Sequence, residues 1–309
     1  MASQIPPLLE SYLSLPPETS QIVLTGILGA STNWLVLRSL YGLLKPVGPG
    51  PRPQPRRDGA TPPAGEEDVK VLLVSFMRDY AFWKDGAGRL GLNLDTLTSQ
   101  GRFHFVDGLS RLFLPDGGAA APGGGRGVAP HPAAAGTGAG AGRVGHGYLE
   151  SPRVVDIARA LNAAVAQLEV AARGSMAGKV VLVLDQPDVL LAAAAADEDG
   201  ATSMALRDVV LDLREKVHAT VITLAADEPL LSAQTTALEK EHAAFVLSLA
   251  HEAEAILSLR LLDTGTAKDV SGVVRITPGG GALEKAIEEH EYLYHVGGDG
   301  GVKVFERGH

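Results

Sequence analysis

Gly26-Ile27-Leu28-Gly29-Ala30-Ser31-Thr32-Asn33 has the position and spacing of a loop that grips phosphate groups. An apolar run, Gln21–Thr25, precedes it and reads as a buried strand. An apolar stretch, Trp34–Leu44, follows it and reads as a helix. A working phosphate loop reads G-x-x-x-x-G-K-[ST], because backbone N–H groups cradle the phosphates, the lysine balances their charge, and the hydroxyl ligates magnesium. With Gly26 as the first glycine, Ser31 stands in the second glycine's place, Thr32 in the lysine's and Asn33 in the hydroxyl's. Charge-assisted contacts contribute about 1.5–3 kcal/mol each, roughly twice a neutral one, and Thr32 cannot supply the cation. The plainer reading is a strand–turn–helix whose Ser31 or Thr32 caps the helix. The expectation is a phosphate-loop architecture without hydrolytic chemistry: no catalytic residue, and no nucleotide or other cofactor held by Gly26, Gly29, Ser31, Thr32 and Asn33.

Asp185 is the second candidate. It ends the apolar run Lys179–Leu184, and the carboxyl end of a buried strand is where an open α/β sheet places its ligands. With no cation in the loop opposite, a strand-end aspartate turning into Gln186-Pro187 is the favoured reading, so Asp185 is expected as a degenerate acidic strand end. Lys45 and Lys179 are the cations that a displaced phosphate site would call on, and they carry the alternative of a nucleotide-binding ATPase with a non-standard phosphate site.

Other patterns carry less. Gly136-Thr137-Gly138-Ala139-Gly140-Ala141 satisfies a dinucleotide G-x-G-x-x-[GA] formula, but no strand precedes it. His242 and His251 lie nine apart on one predicted helix, away from ligand spacing. His290 sits among Glu288, Glu289 and Glu291, a pattern typical of a solvated face. Gly174-Ser175-Met176-Ala177-Gly178 has its serine one place early for a nucleophile elbow. No metal site is expected. Arg126 and Arg143 lie in a stretch poor in acids, where a mobile segment could touch a phosphate backbone, although a solubilising loop is the plainer account.

The elements that must position these groups alternate. Val69–Phe76 is a continuous apolar run, as expected of a parallel strand covered on both faces. A helix over Asp79–Leu92, a short helix over Asp95–Gln100 and a strand over Arg102–Val106 follow. Val154–Ala172 and Ser203–His218 have helical periodicity, Ala219–Leu224 reads as a buried strand, and Leu238–Ala250 as a helix. Strands are expected at Ala255–Leu262, Gly272–Thr277, Tyr292–Val296 and Val302–Phe305, the last two flanking a glycine-rich turn. Alternation of strand and helix implies a parallel sheet, which a trailing meander would extend at one edge. Residues 45–68 are rich in proline and read as a loop or linker. Residues 115–147 are nearly all Gly, Ala and Pro, and disorder is expected there.

Composition limits the rest. The chain has 309 residues, a formal net charge of −9 and no cysteine, which excludes disulfides and cysteine nucleophiles. The acidic balance argues against a broad basic nucleic-acid surface. Ile22–Leu44 is interrupted by Ser31, Thr32, Asn33 and Arg38, so no membrane span is expected. Length alone would allow about two domains at roughly 150 residues each, and one α/β domain spanning 1–309 with inserted loops fits equally well.

The segments VKVLLVSFMRDYAFWKDGAGRLGLNL, RFHFVDGLSRLF and KVVLVLDQPDVLLA, in this order after a lysine-less loop, resemble the sixth subunit of Elongator. The similarity covers most of the chain outside 45–68 and 115–147. It implies a RecA-like P-loop NTPase fold with a degenerate phosphate loop, a central and mainly parallel sheet flanked by helices, and antiparallel strands at the C-terminus. It further implies a structural subunit that forms a heterohexameric ring with the fourth and fifth subunits. That ring would dock on the Elongator catalytic subcomplex, which modifies the wobble uridine of tRNA, and would bind tRNA when assembled. The implied location is the cytoplasm, with the nucleus as a second compartment. The long Gly/Ala stretch departs from a compact family core.

Overall fold

Strands covered on both faces need mostly apolar side chains on both sides, and this chain supplies five predominantly apolar strands that are buried almost throughout. A computed structural model of the chain describes residues 5–45, 69–113, 145–170, 178–194, 201–262, 267–281 and 287–307. Residues 46–68 and 114–144 lie outside the described residues, as do Arg126, Arg143 and Gly136–Ala141.

A 3-10 turn, Pro7–Leu9, leads into the short helix α1 (Glu10–Leu13), followed by β1 (Gln21–Gly26) and α2 (Asn33–Leu44). Next come β2 (Val69–Ser75), α3 (Tyr80–Arg89), α4 (Leu94–Ser99), β3 (Phe103–Asp107), β4 (His146–Tyr148) and α5 (Val154–Val170). The central part continues with β5 (Lys179–Asp185), α6 (Val189–Ala194), α7 (Ser203–Arg214), β6 (Ala219–Ala225), α8 (Glu228–Leu231) and α9 (Ala237–Glu252). The chain ends with β7 (Ala255–Arg260), β8 (Gly272–Pro278), β9 (His290–Val296) and β10 (Val302–Phe305).

Among the described residues these strands form one sheet in the order β10-β9-β8-β7-β1-β6-β5-β2-β3-β4. The seven strands from β7 to β4 run parallel. Strands β8, β9 and β10 pair antiparallel at the other edge. This is the trailing meander expected from the sequence. The period of two divides the core. Val71, Leu73, Val181 and Val183 face α2, α3 and α4, while Leu72, Val74, Leu182 and Leu184 face α5, α7 and α9. The apolar stripe of α2 is deep: Leu35, Val36, Leu40 and Leu44 are fully covered.

Strand β4 and helix α7 depart from the sequence reading, which also does not anticipate the short helices α6 and α8. Strand β4 takes in His146 and Gly147, the last two residues of the stretch 115–147 in which disorder is expected. Its register with β3 pairs Phe105 with His146 and Asp107 with Tyr148. Edge pairing needs only backbone groups, and the His146 ring packs edge-on against Tyr80 at 4.1 Å, so three residues suffice without an apolar run. Helix α7 stops at Arg214 rather than reaching His218, because the His218 N–H donates to Val180 O at 2.7 Å and commits the chain to β6. Among the described residues no helix is long and apolar enough to cross a membrane; Ile22–Leu44 is strand, turn and a twelve-residue helix.

Candidate functional site

The loop Gly26–Asn33 lies at the carboxyl end of β1, between the ends of β6 and β7 in the sheet order. Its backbone turns sharply. The Ala30 N–H donates to Ile27 O at 2.9 Å, and Gly29 has φ +91°, a conformation costly for a side-chain-bearing residue. Gly26 must remain a glycine, since a Cβ there would lie 2.7 Å from Ala30 O.

Three of the loop's amides are used within the protein. Besides Ala30, the Leu28 N–H donates to Asp227 Oδ1 at 2.8 Å, and the Asn33 N–H donates to Ser31 Oγ at 3.2 Å. Ser31 is thus the local cap of α2; Thr32 is buried at the helix start and makes no capping bond. The cleft above the loop has a volume of about 350 Å³ and is lined by the loop itself with Met77, Arg78, Gln186, Ala225 and Asp227. Among the described residues Arg78 is the only cation lining it, and its guanidinium donates to Met77 O and sits 5.3 Å from the Phe82 ring centre.

The cations of the alternative reading lie elsewhere. Lys45 caps the far end of α2, about 18 Å from the loop at 1.5 Å per residue. Lys179 opens β5 at the amino edge of the sheet, where its neighbour in register is Val69. Neither stands where the phosphate-loop lysine would.

Asp185 is where the sequence places it, at the carboxyl end of β5, and it is sealed in. Only 1 % of its surface is exposed. Its Oδ2 accepts from Ser75 Oγ at 2.6 Å and its Oδ1 from Thr223 Oγ1 at 2.9 Å. The carboxyl therefore ties the end of β5 to the ends of β2 and β6, and Gln186 rather than Asp185 lines the cleft. Burial raises its pKa above the ordinary carboxylate range, and the two hydroxyl bonds and the Arg78 charge offset this only in part. A carboxyl sealed from the cleft, with both oxygens bonded to hydroxyls, is poorly placed to ligate a cation in the cleft. The Arg78 N–H donates to Ser75 Oγ at 3.0 Å, so Ser75 links the β2–α3 turn to this acid.

A second buried polar group braces the same strand ends. His242 Nε2 donates to Ala225 O at 2.9 Å, and the Ala225 N–H donates to Asp188 Oδ2 at 3.3 Å. Burial raises the Asp188 pKa, and His242, 3.9 Å away, pulls it back down. His242 therefore has a bracing role. His290 stacks on Tyr292 at 5.4 Å and lies 3.8 Å from Glu288. Among the described residues no three His, Asp or Glu side chains converge as metal ligands.

Sequence reasoning singled out the loop and Asp185 but not the residues that bond to them or line the cleft, Ser75, Arg78, Thr223 and Asp227. Ser75 and Thr223 are single hydroxyls ending apolar strands, a faint signal that needs the strand order to be read.

A parallel sheet flanked by helices, a loop-and-helix at the carboxyl end of a central strand, an acid closing another strand, and a C-terminal antiparallel edge define a RecA-like P-loop NTPase fold. The chain matches the crystal structure of a KaiC-like protein from the hyperthermophilic archaeon Pyrococcus horikoshii with a TM-score of 0.54 and 15 % sequence identity, over 99 % of this chain and 98 % of that one. No family model and no curated protein sequence matches the chain.

Proposed function

We propose that this chain is a non-catalytic, RecA-like structural subunit of the Elongator accessory ring, assembled with the fourth and fifth subunits into a heterohexamer that supports tRNA binding and wobble uridine modification. The observation that carries the loss of catalysis is the state of the loop. Its Leu28 amide is held by the Asp227 carboxylate, and a threonine stands where the charge-balancing lysine would be. A triphosphate entering this cleft would meet a fixed anion and compete for amides already bonded. The assignment to Elongator rests on the resemblance of the segments forming β2–α3, β3 and β5–α6. Ring formation needs the fold's surfaces and not its phosphate chemistry, and a standard specific interface buries about 1,600 Å² in total.

Arg78 favours a second reading, a nucleotide-binding ATPase with a non-standard phosphate site, because it brings one cation into the cleft. Under that reading Arg78→Ala would abolish nucleotide binding.

Capture of the tagged full-length chain from its own cells, with partners identified by mass spectrometry, tests the proposal. Near-stoichiometric recovery of the fourth and fifth Elongator subunits is expected. Recovery of a different assembly, or of the chain alone, would overturn the Elongator assignment.

A further inference from the structure

A second cavity, of about 430 Å³, opens between α5 and the β3–β4 edge, on the opposite side of the sheet from α3 and α4. Strand alternation decides which side chains reach it. His146 pairs in register with Phe105, and both rings lie near each other on the α3 face. His104 and Val106 point the other way, with Gly147 in register beside Val106. The two histidines therefore do not converge on one ligand atom, and a two-imidazole metal site is ruled out.

The cavity exists because small residues face one another. Gly147 has no side chain, and a Cβ there would find ordinary contact distances of 3.4 Å to Val106 Cγ2 and 3.7 Å to His104 Nε2. Ala160 and Ala164 of α5 form the opposing wall, and the carboxamide of Gln167 stands at the exposed rim. Small residues alone would make only a packing gap. What makes this a binding site is His104. It is 7 % exposed, lines the cavity, and makes no hydrogen bond to another described residue. The His104 Nε2 lies 3.7 Å from where a Gly147 Cβ would stand, so a ligand atom in the cavity can take a hydrogen bond with this ring in place of water.

We propose that this cavity binds an uncharged, planar heteroaromatic small molecule, whose ring lies between Gly147 and the α5 alanines and whose nitrogen atoms hydrogen-bond to the His104 imidazole. Among the described residues no Lys, Arg, Asp or Glu lines the cavity, and the His146 ring at its edge packs against Tyr80 on the other face, so no charged side chain faces a ligand there. Its volume falls within the range of about 300–1,000 Å³ usual for small-molecule sites. Burial, with the His146 charge adding to it, lowers the His104 pKa to about 4, so the ring stays neutral near pH 7 and offers both a donor and an acceptor. The site is separate from the cleft at Gly26–Asn33 and does not depend on the reading of that loop.

The test uses benzimidazole as the probe and the histidine side-chain nitrogen resonances of the full chain as the readout, with His104 assigned by its loss in His104→Phe. Indane, of the same shape but without nitrogens, is the control. Saturable benzimidazole binding that shifts the His104 nitrogens is expected. Loss of one hydrogen bond should weaken benzimidazole about fivefold in His104→Phe, measured by calorimetry, and indane should bind wild type weaker by about the same factor. Gly147→Val fills the cavity from a strand position that tolerates β-branched residues, and should weaken benzimidazole more than about tenfold at an unchanged unfolding midpoint. No saturable shift at His104, equal affinity for indane, or undiminished binding in Gly147→Val would overturn the proposal.

Discussion

The Asp227 carboxylate accepts the Leu28 backbone N–H at 2.8 Å. The two residues come from different strand ends, Leu28 from the turn after β1 and Asp227 from the turn after β6. In a phosphate loop the amides face a ligand's oxygen atoms; here one of them faces a side-chain oxygen of the protein itself. The contact also sets a negative charge in the cleft where an anionic ligand would sit.

Asp227→Ala should therefore loosen the loop without disturbing the sheet. The bond is solvent-exposed, so the expected cost is about 0.5–1 kcal/mol in denaturant unfolding. Amide hydrogen exchange should accelerate at Leu28 while the β1 amides keep their protection. Unchanged exchange at Leu28 would mean that the contact contributes nothing to loop order.

Asp185 gives a sharper result. Asp185→Ala would strand the Ser75 and Thr223 hydroxyls in a dry interior, at a cost of about 2–4 kcal/mol. Asp185→Asn keeps an acceptor for one of them and should cost less. The pH dependence has a definite sign. The folded pKa is raised above the unfolded value, so the folded state binds the proton more tightly. Stability from this group is full below the unfolded pKa, near 4, and is lost as pH rises through the folded pKa. Asp185→Asn should flatten that decline, and unfolding midpoints measured from pH 4 upward check it.

His104 behaves in the opposite sense. Its pKa is lowered from 6.5 to about 4 by burial first and by the His146 charge second. The unfolded chain binds the proton before the folded one does. Stability from neutral His104 is present above pH 6.5 and is lost as pH falls toward 4. The loss over that window should be on the order of 2–3 kcal/mol, and His104→Phe should remove it. Equal acid sensitivity in His104→Phe and wild type would contradict the assignment.

Much of this fold could be read from the sequence because its central strands are rich in apolar residues on both faces. Val69–Phe76, Lys179–Leu184 and Ala219–Leu224 have apolar residues on both faces, and the structure keeps each of them within a residue or so. The missing cation could be read as well, since a threonine at position 32 needs no coordinates. The partners of the site could not. Ser75, Thr223 and Asp227 meet Asp185 and the loop only because β2, β5, β6 and β1 lie side by side, an order that the chain sequence does not state. Strand β4 was hidden for a different reason: His146-Gly147-Tyr148 forms by pairing its backbone to an edge, and a glycine-rich approach gives no apolar pattern to detect. The basic pair Arg126 and Arg143 lies outside the described residues.

The most direct measurement is equilibrium titration of the full chain with a fluorescent ATP analogue in the presence of magnesium, with ATP turnover followed in parallel. The account predicts no saturable binding at the Gly26–Asn33 loop and no turnover above a protein-free blank. Micromolar, magnesium-dependent binding lost in Arg78→Ala, or turnover abolished by Asp185→Ala, would contradict it.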